Sequence, residues 1–506
     1  MGEDKESRKK PRRLQEKSLN PRRLARLIFP GFRFGTSDPE RALRLAGLGV
    51  GGFCFYGGSA AEVRQLSLAL KAASQTPLLI ASDYENGAGQ WVRGATALPS
   101  NMALGASGSA ALARRKGEIT ALEARALGVD WVFAPVLDLA TRPDNPIVNV
   151  RAYGADPGLA ARLAEAYMQG LNSQGALSCV KHFPGHGSTA ADSHLELPAV
   201  SKNLAALEEL ELRPFAALAR RADAVMAAHL MLPELDPAAP ASLSSGILSG
   251  LLRGRLGFGG LIVTDALEMK AVSAGPDAGV RAFLAGADAL LVPDDPEALH
   301  GRLARAFNDG LIAAAAVEAA LARQDALVRK LAPFRSSPAP SDALRCPEHL
   351  AFNAEAAPAC LAWASRGRFG VRPGETLGYF EPLTAPADWK GAAFAAALAE
   401  QGVRVEPYRP GLRLAAGCFA GPRAGSGLIA LAPEARRELE AAIAGAADSV
   451  VLAFGSPFVL DGLAPAAGLC AFCPLEEFQR AAALALAGKI VAGGSLPATV
   501  SLLEKL

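Results

Sequence analysis

Short apolar runs alternate with stretches rich in Ala, Leu, Arg and Glu from Leu24 to Leu331. Seven runs have the length and composition of strands: residues 51–56, 78–82, 131–135, 177–181, 224–228, 260–264 and 288–292. An eighth, near Leu27–Phe29, precedes them. The segments between them have helical composition, as in residues 110–127 and 157–174. Strand and helix in alternation predict a parallel α/β domain. Eight such units fit a (β/α)8 TIM-type barrel, which usually takes ~250 residues. A doubly wound open sheet is the alternative, and it too would carry its site at the strand C-termini.

The Pro/Ser-rich stretch 331–342 has the composition of a linker. Beyond it, residues 375–380, 403–405, 428–431 and 449–454 read as strands among Ala-rich helices. The expected division is a basic tail over 1–20, a barrel over 21–335, a linker over 336–345 and a smaller α/β domain over 346–506. No internal repeat stands out.

Composition narrows the class. The chain has 506 residues, half of them hydrophobic and a fifth charged, which predicts a filled core rather than disorder. A net charge of +2 leaves no broad footprint for nucleic acid or membrane. Lys9, Lys10, Arg12, Arg13, Arg22 and Arg23 make the start basic, but no apolar segment follows as in a signal peptide. They read as a solvated tail, with an anionic partner as the alternative. Seven scattered cysteines and no secretory signal point to a reducing compartment, so the expected location is cytoplasmic. Cys470-Ala-Phe-Cys473 lacks the second pair of a zinc ribbon and reads as incidental. No apolar run reaches the ~18 residues of a membrane span.

The candidate chemistry follows the apolar runs. Asp83 follows 78–82, Lys181 and His182 close 177–181, His229 follows 224–228, and Asp265 follows 260–264. The densest group is Lys181-His-Phe-Pro-Gly-His-Gly187 with Asp192-Ser-His194, which holds three of the six histidines. Its Pro and Gly spacing predicts a loop. Asp192, two residues before His194, can fix one imidazole nitrogen and leave the other to move a proton. The same residue types also suit a solvated turn. Asp265 can be a nucleophile toward an anomeric carbon or a helix N-cap. Asp83 and Glu85 suit sugar hydroxyls or a strand-end turn. The histidines and aspartates include the ligands of a metallohydrolase, yet no His-Glu-x-x-His is present and Lys181 would repel a cation. No phosphate-binding or dinucleotide fingerprint occurs.

In sequence order, these blocks resemble the N-acetylglucosaminidase (NagZ-like) branch of glycoside hydrolase family 3. The matching pieces are Asp83-Tyr-Glu-Asn-Gly87, Leu98-Pro…Gly105, Val132…Asp138, Asn149-Val-Arg-Ala-Tyr-Gly154, the Lys181–His194 loop, Val225…His229 and Val263-Thr-Asp265…Met269. The resemblance covers about residues 20–335. Later pieces, Val451…Pro457 and Gly494…Thr499, resemble the family's α/β sandwich domain.

The resemblance implies a retaining β-N-acetylhexosaminidase that uses no cofactor and no metal. Asp265 matches the nucleophile, His194 the acid/base and Asp192 its partner. Asp83, Arg151, Lys181, His182 and Met269 match residues around the bound sugar. The implied substrate is a GlcNAc-containing glycan or muropeptide such as GlcNAc-anhydroMurNAc, in peptidoglycan turnover. A monomer or homodimer is expected, with no nucleic-acid or membrane partner. The branches of the family leave a β-glucosidase or phosphorolytic enzyme as alternatives. A non-catalytic sugar-binding barrel is the alternative of another class. His186 has no assigned task.

Overall fold

The computed structural model describes residues 21–189, 197–273, 277–336, 339, 341–365, 367–422 and 431–503. The basic tail, Asp192 and His194, and residues 428–430 of one expected strand lie outside the described residues. The fold is α/β, with parallel sheets and many helices.

In the N-terminal part, Gly31–Arg33, Gly52–Tyr56, Leu79–Ser82 and Trp131–Val132 pair in parallel, each with the next. Cys179–Phe183, Ala224–Ala227 and Leu261–Thr264 do the same. Ile28–Phe29 pairs in parallel with Leu290–Leu291. Parallel bridges Trp131–Leu177 and Val263–Ala289 link these groups. Helices alternate with the strands and are cut where the side chains allow. Asp156 accepts from Leu159 N–H before Pro157–Ser173, and Ser59 and Glu62 form a capping box before Ala60–Ala73. Alternate strand residues, including Phe29, Leu79, Trp131, Phe133, Met226 and Val263, gather into one buried apolar cluster.

A separate six-stranded sheet has the order Ala362–Trp363, Ala467–Cys470, Asp448–Ala453, Arg413–Cys418, Thr376–Phe380 and Arg404–Pro407. Only its first pair is antiparallel. The chain also reaches back to the N-terminal part. His349 Nδ1 meets Glu123 Oε1 at 3.0 Å, Ser495 N–H donates to Ala106 O, and Ala155 N–H donates to Pro497 O.

Three sequence expectations shift. The strand Cys179–Phe183 runs two residues past the expected end at Lys181, so His182 and Phe183 are in the strand and not in a loop. The strand stops only at Pro184, which has no N–H to donate. The helix Ala314–Arg335 runs through the start of the expected linker at Leu331. Phe334 packs under Arg125, with 5.2 Å from guanidinium to ring, and Arg335 donates to Leu78 O at 3.0 Å, so tertiary contacts extend the helix past Pro333. Strands Arg413–Cys418 and Ala467–Cys470 were not expected, because Leu-Ala-Ala-Gly and Ala-Gly-Leu lack β-branched residues. Cys470 and Cys473 are buried free thiols.

Candidate active site

The strand C-termini open onto a cavity of about 650 Å³. Asp83, Arg151, Lys181, His182, Asp265 and Met269 all line it, so six of the eight expected site residues come together. The other two, Asp192 and His194, lie outside the described residues.

An ion cluster lines part of the cavity. Lys181 is 2% exposed, and its Nζ reaches Asp83 Oδ1 at 2.6 Å and Glu85 Oε1 at 2.7 Å. Arg151 grips Glu85 with two parallel bonds, Nε–Oε2 at 2.9 Å and Nη2–Oε1 at 2.7 Å. Burial pushes the Glu85 carboxyl upward, but Arg151 and Lys181 more than offset this and hold it well below the usual carboxylate range. Burial would likewise lower Lys181, yet Asp83 and Glu85 hold its ammonium above its ordinary value. Both ends of the cluster are therefore charged and fixed, which suits recognition of sugar hydroxyls by fixed donors and acceptors.

Asp138 organises the strand that carries Lys181. It is fully buried, and its Oδ2 lies 2.6 Å from His182 Nδ1. It also accepts from His182 N–H at 3.3 Å and from His186 N–H at 2.6 Å. A carboxylate can only accept here, so His182 Nδ1 carries the proton. His182 Nε2 then faces Arg151 Nη2 at 3.5 Å as an acceptor. Burial alone would raise Asp138, but His182 and His186 hold it below its ordinary value.

Asp265 follows the strand Leu261–Thr264, and Ala266 N–H donates to its Oδ1 at 2.8 Å. It is not a helix cap, because the next helix begins at Lys270. His229 is buried behind it rather than in the cavity wall. Its Nε2 is 3.0 Å from Ala266 O and its Nδ1 is 2.7 Å from Ser242 Oγ. The carbonyl requires the proton on Nε2, so Ser242 donates to Nδ1. His229 thus pins the turn that presents Asp265.

The chain leading to Asp192 is fixed from two sides. Asn145 Nδ2 donates to His186 O and Thr189 O, both at 2.9 Å, while its Oδ1 accepts from Ile147 and Val148 N–H. Lys202 and Ser188 both bond to the buried Glu211. Gly187 has to be glycine, since a Cβ there would lie 2.1 Å from Leu139 O. His186 is buried, with Nδ1 2.9 Å from Thr189 Oγ1. Burial lowers its pKa to about 4, so it is neutral near pH 7.

Residues 25–326 match the glycosyl hydrolase family 3 N terminal domain. The chain belongs to glycosyl hydrolase family 3. This family 3 chain is 34% identical over 344 residues to a β-N-acetylglucosaminidase/β-glucosidase of Cellulomonas fimi, spanning 64% of the chain and 60% of that relative. It is 40% identical over 286 residues to a β-hexosaminidase of Chromobacterium violaceum, spanning 54% of the chain and 79% of the relative. A solved family 3 β-N-acetylglucosaminidase from Paenibacillus sp. str. FPU-7 superimposes with a TM-score of 0.81 at 30% identity, covering 96% of this chain and 99% of that one. The chain is thus a glycoside hydrolase similar to β-N-acetylglucosaminidases.

Sequence reasoning left Asp138, Asn145, Glu211 and Trp91 without a role. Asp138 ended a family block but carried no visible partner, because its partners are 44 and 48 positions away in sequence. Glu85 was noted as a second acid, but its place between two cations needed the tertiary structure.

Proposed function

We propose that this glycoside hydrolase removes terminal β-GlcNAc with retention, using Asp265 as nucleophile and His194 as acid/base. The observation that supports this best is the placement of Asp265 in the same cavity as the Asp83–Lys181–Glu85–Arg151–His182 cluster. Lys181 and Glu85 of the cluster are buried, which suits exo action on a single terminal sugar. Asp83, Arg151, Lys181 and His182 hold the sugar's hydroxyls, and Met269 packs against it. An Asp265 oxygen attacks C1 while the C1–O bond breaks and the departing oxygen takes a proton from His194. Later His194, oriented by Asp192, takes a proton from water. The water oxygen bonds to C1, and the Asp265 carboxylate leaves. A neutral imidazole avoids the like-charge repulsion that a second carboxylate would suffer beside Asp265.

The parallel pairings and bridges support an eight-stranded (β/α)8 barrel followed by a sandwich-like second domain, and that arrangement is part of the proposed reading. Muropeptide fragments as cytoplasmic substrates are part of it too. The name of the Cellulomonas relative favours a second, weaker activity on β-glucosides.

Turnover of p-nitrophenyl β-GlcNAc is compared with that of the β-glucoside, and faster glucoside turnover overturns the N-acetyl preference. His194→Ala is compared across leaving groups of graded acidity. The loss must grow as the leaving group becomes more basic; an even loss refutes general-acid catalysis. Loss of activity with a chelator would instead favour a metal mechanism.

A further inference from the structure

The cavity's mouth carries an aromatic wall that the mechanism above does not use. Trp91 is 39% exposed and lines the cavity, whereas Lys181, Glu85 and His182 of the ion cluster that would hold the terminal sugar are buried. Three contacts fix the indole and its neighbour. Its Nε1–H donates to the backbone oxygen of Asp83 at 3.0 Å. Its ring stands edge-on to Tyr56, with centroids 5.5 Å apart and planes 76° apart. Arg33 covers the Tyr56 ring at 5.0 Å and is itself ion-paired to Glu268. These contacts hold a large apolar ring in a partly open position at the cavity.

We propose that Trp91 is the stacking platform of an aglycone subsite, binding the pyranose ring on the leaving-group side of the scissile bond. This rests on the assignment of the buried cluster to the terminal sugar. The C–H groups on one face of a pyranose are apolar and electropositive, and they match the negative face of an indole. Fixing the ring in advance means little conformational entropy is lost when a sugar arrives. A ring more exposed than the buried Lys181 and Glu85 meets the second sugar of a chain and not the first. The hydrogen bond to Asp83 O also ties the platform to a residue of the terminal-sugar site, which keeps the two subsites in register.

Two substrates separate the roles. N,N′-diacetylchitobiose has a sugar leaving group, and N-acetyl-β-glucosaminyl fluoride has none to stack. The quantity read is the ratio of kcat/KM on the disaccharide to that on the fluoride. Trp91→Ala should lower this ratio about tenfold, the scale of an aromatic stacking contact. Trp91→Phe keeps a ring but lacks the N–H, and it should hold the ratio within about twofold of the wild type. An unchanged ratio in Trp91→Ala, or an equal fall in both variants, overturns the platform and leaves Trp91 as a support for Asp83 alone. Running cellobiose beside glucosyl fluoride guards against a wrong terminal sugar. If the enzyme prefers these, the N-acetyl assignment fails while the Trp91 ratio still decides the platform. Far-ultraviolet circular dichroism of each variant confirms folding, and because the readout is a ratio of two rates, partial loss of active protein cancels.

Discussion

Glu85→Gln probes the ion cluster most directly, because one carboxylate there serves two buried cations. Its Oε1 lies 2.7 Å from both Lys181 Nζ and Arg151 Nη2. At an effective dielectric of about 20, each contact is worth about 6 kcal/mol of gross attraction. Most of that is offset by taking the ions out of water, a penalty of several kcal/mol per ion. What remains measurable is the cost of leaving Lys181 and Arg151 buried with one counter-ion fewer, about 3–5 kcal/mol. The amide also keeps one oxygen but places an NH2 donor against a cation. Chemical denaturation of the wild type and Glu85→Gln should show that loss in the transition that includes the N-terminal part. Because burial is outweighed by the two cations, the Glu85 carboxyl titrates below its unfolded value. Its stabilising contribution is therefore complete above the unfolded pKa of ~4.3 and is lost as pH falls from there toward the depressed folded value. The gap between wild type and variant should be constant above about pH 5.5 and narrow on acidification. A variant within 1 kcal/mol of the wild type at pH 7, or a gap that widens in acid, refutes the assigned charge balance.

Four further outcomes follow. Asp138→Ala removes the acceptor of His182 Nδ1–H and of two backbone N–H groups, and should cost about 3 kcal/mol in denaturation and at least tenfold in kcat/KM. His186 titrates near 4 when folded and ~6.5 when unfolded, so stability is lost as pH falls between those values; His186→Gln should flatten that slope in midpoint-against-pH measurements. Lys116 is fully buried against Asn101 Oδ1 at 2.8 Å, and burial lowers its pKa to about 7. The unfolded chain keeps that proton up to ~10.4, so stability should rise from pH 7 to 10 relative to Lys116→Met. Asp265→Ala should lower kcat by at least ten-thousandfold while product GlcNAc still binds by calorimetry, since the ion cluster is untouched; turnover within tenfold of wild type would remove Asp265 from the nucleophile role.

The order of motifs along the chain was enough to determine the family, the α/β class and six residues that share the cavity. That is because strand C-termini in a parallel sheet all face one way, so a polar residue closing an apolar run has a defined address. Spacing could not decide whether Asp265 caps a helix; the structure shows that the next helix starts at Lys270 and that Asp265 lines the cavity. Nor could sequence assign Glu85, Asp138 or Trp91. Their significance lies in partners far away along the chain: Arg151 and Lys181 for Glu85, His182 for Asp138, and Tyr56 for Trp91. Local sequence fixes which residues reach a strand end and which way they point. Only tertiary packing decides which charges meet, which are buried, and which aromatic ring is left facing the cavity, because those depend on distances between segments that no local pattern encodes.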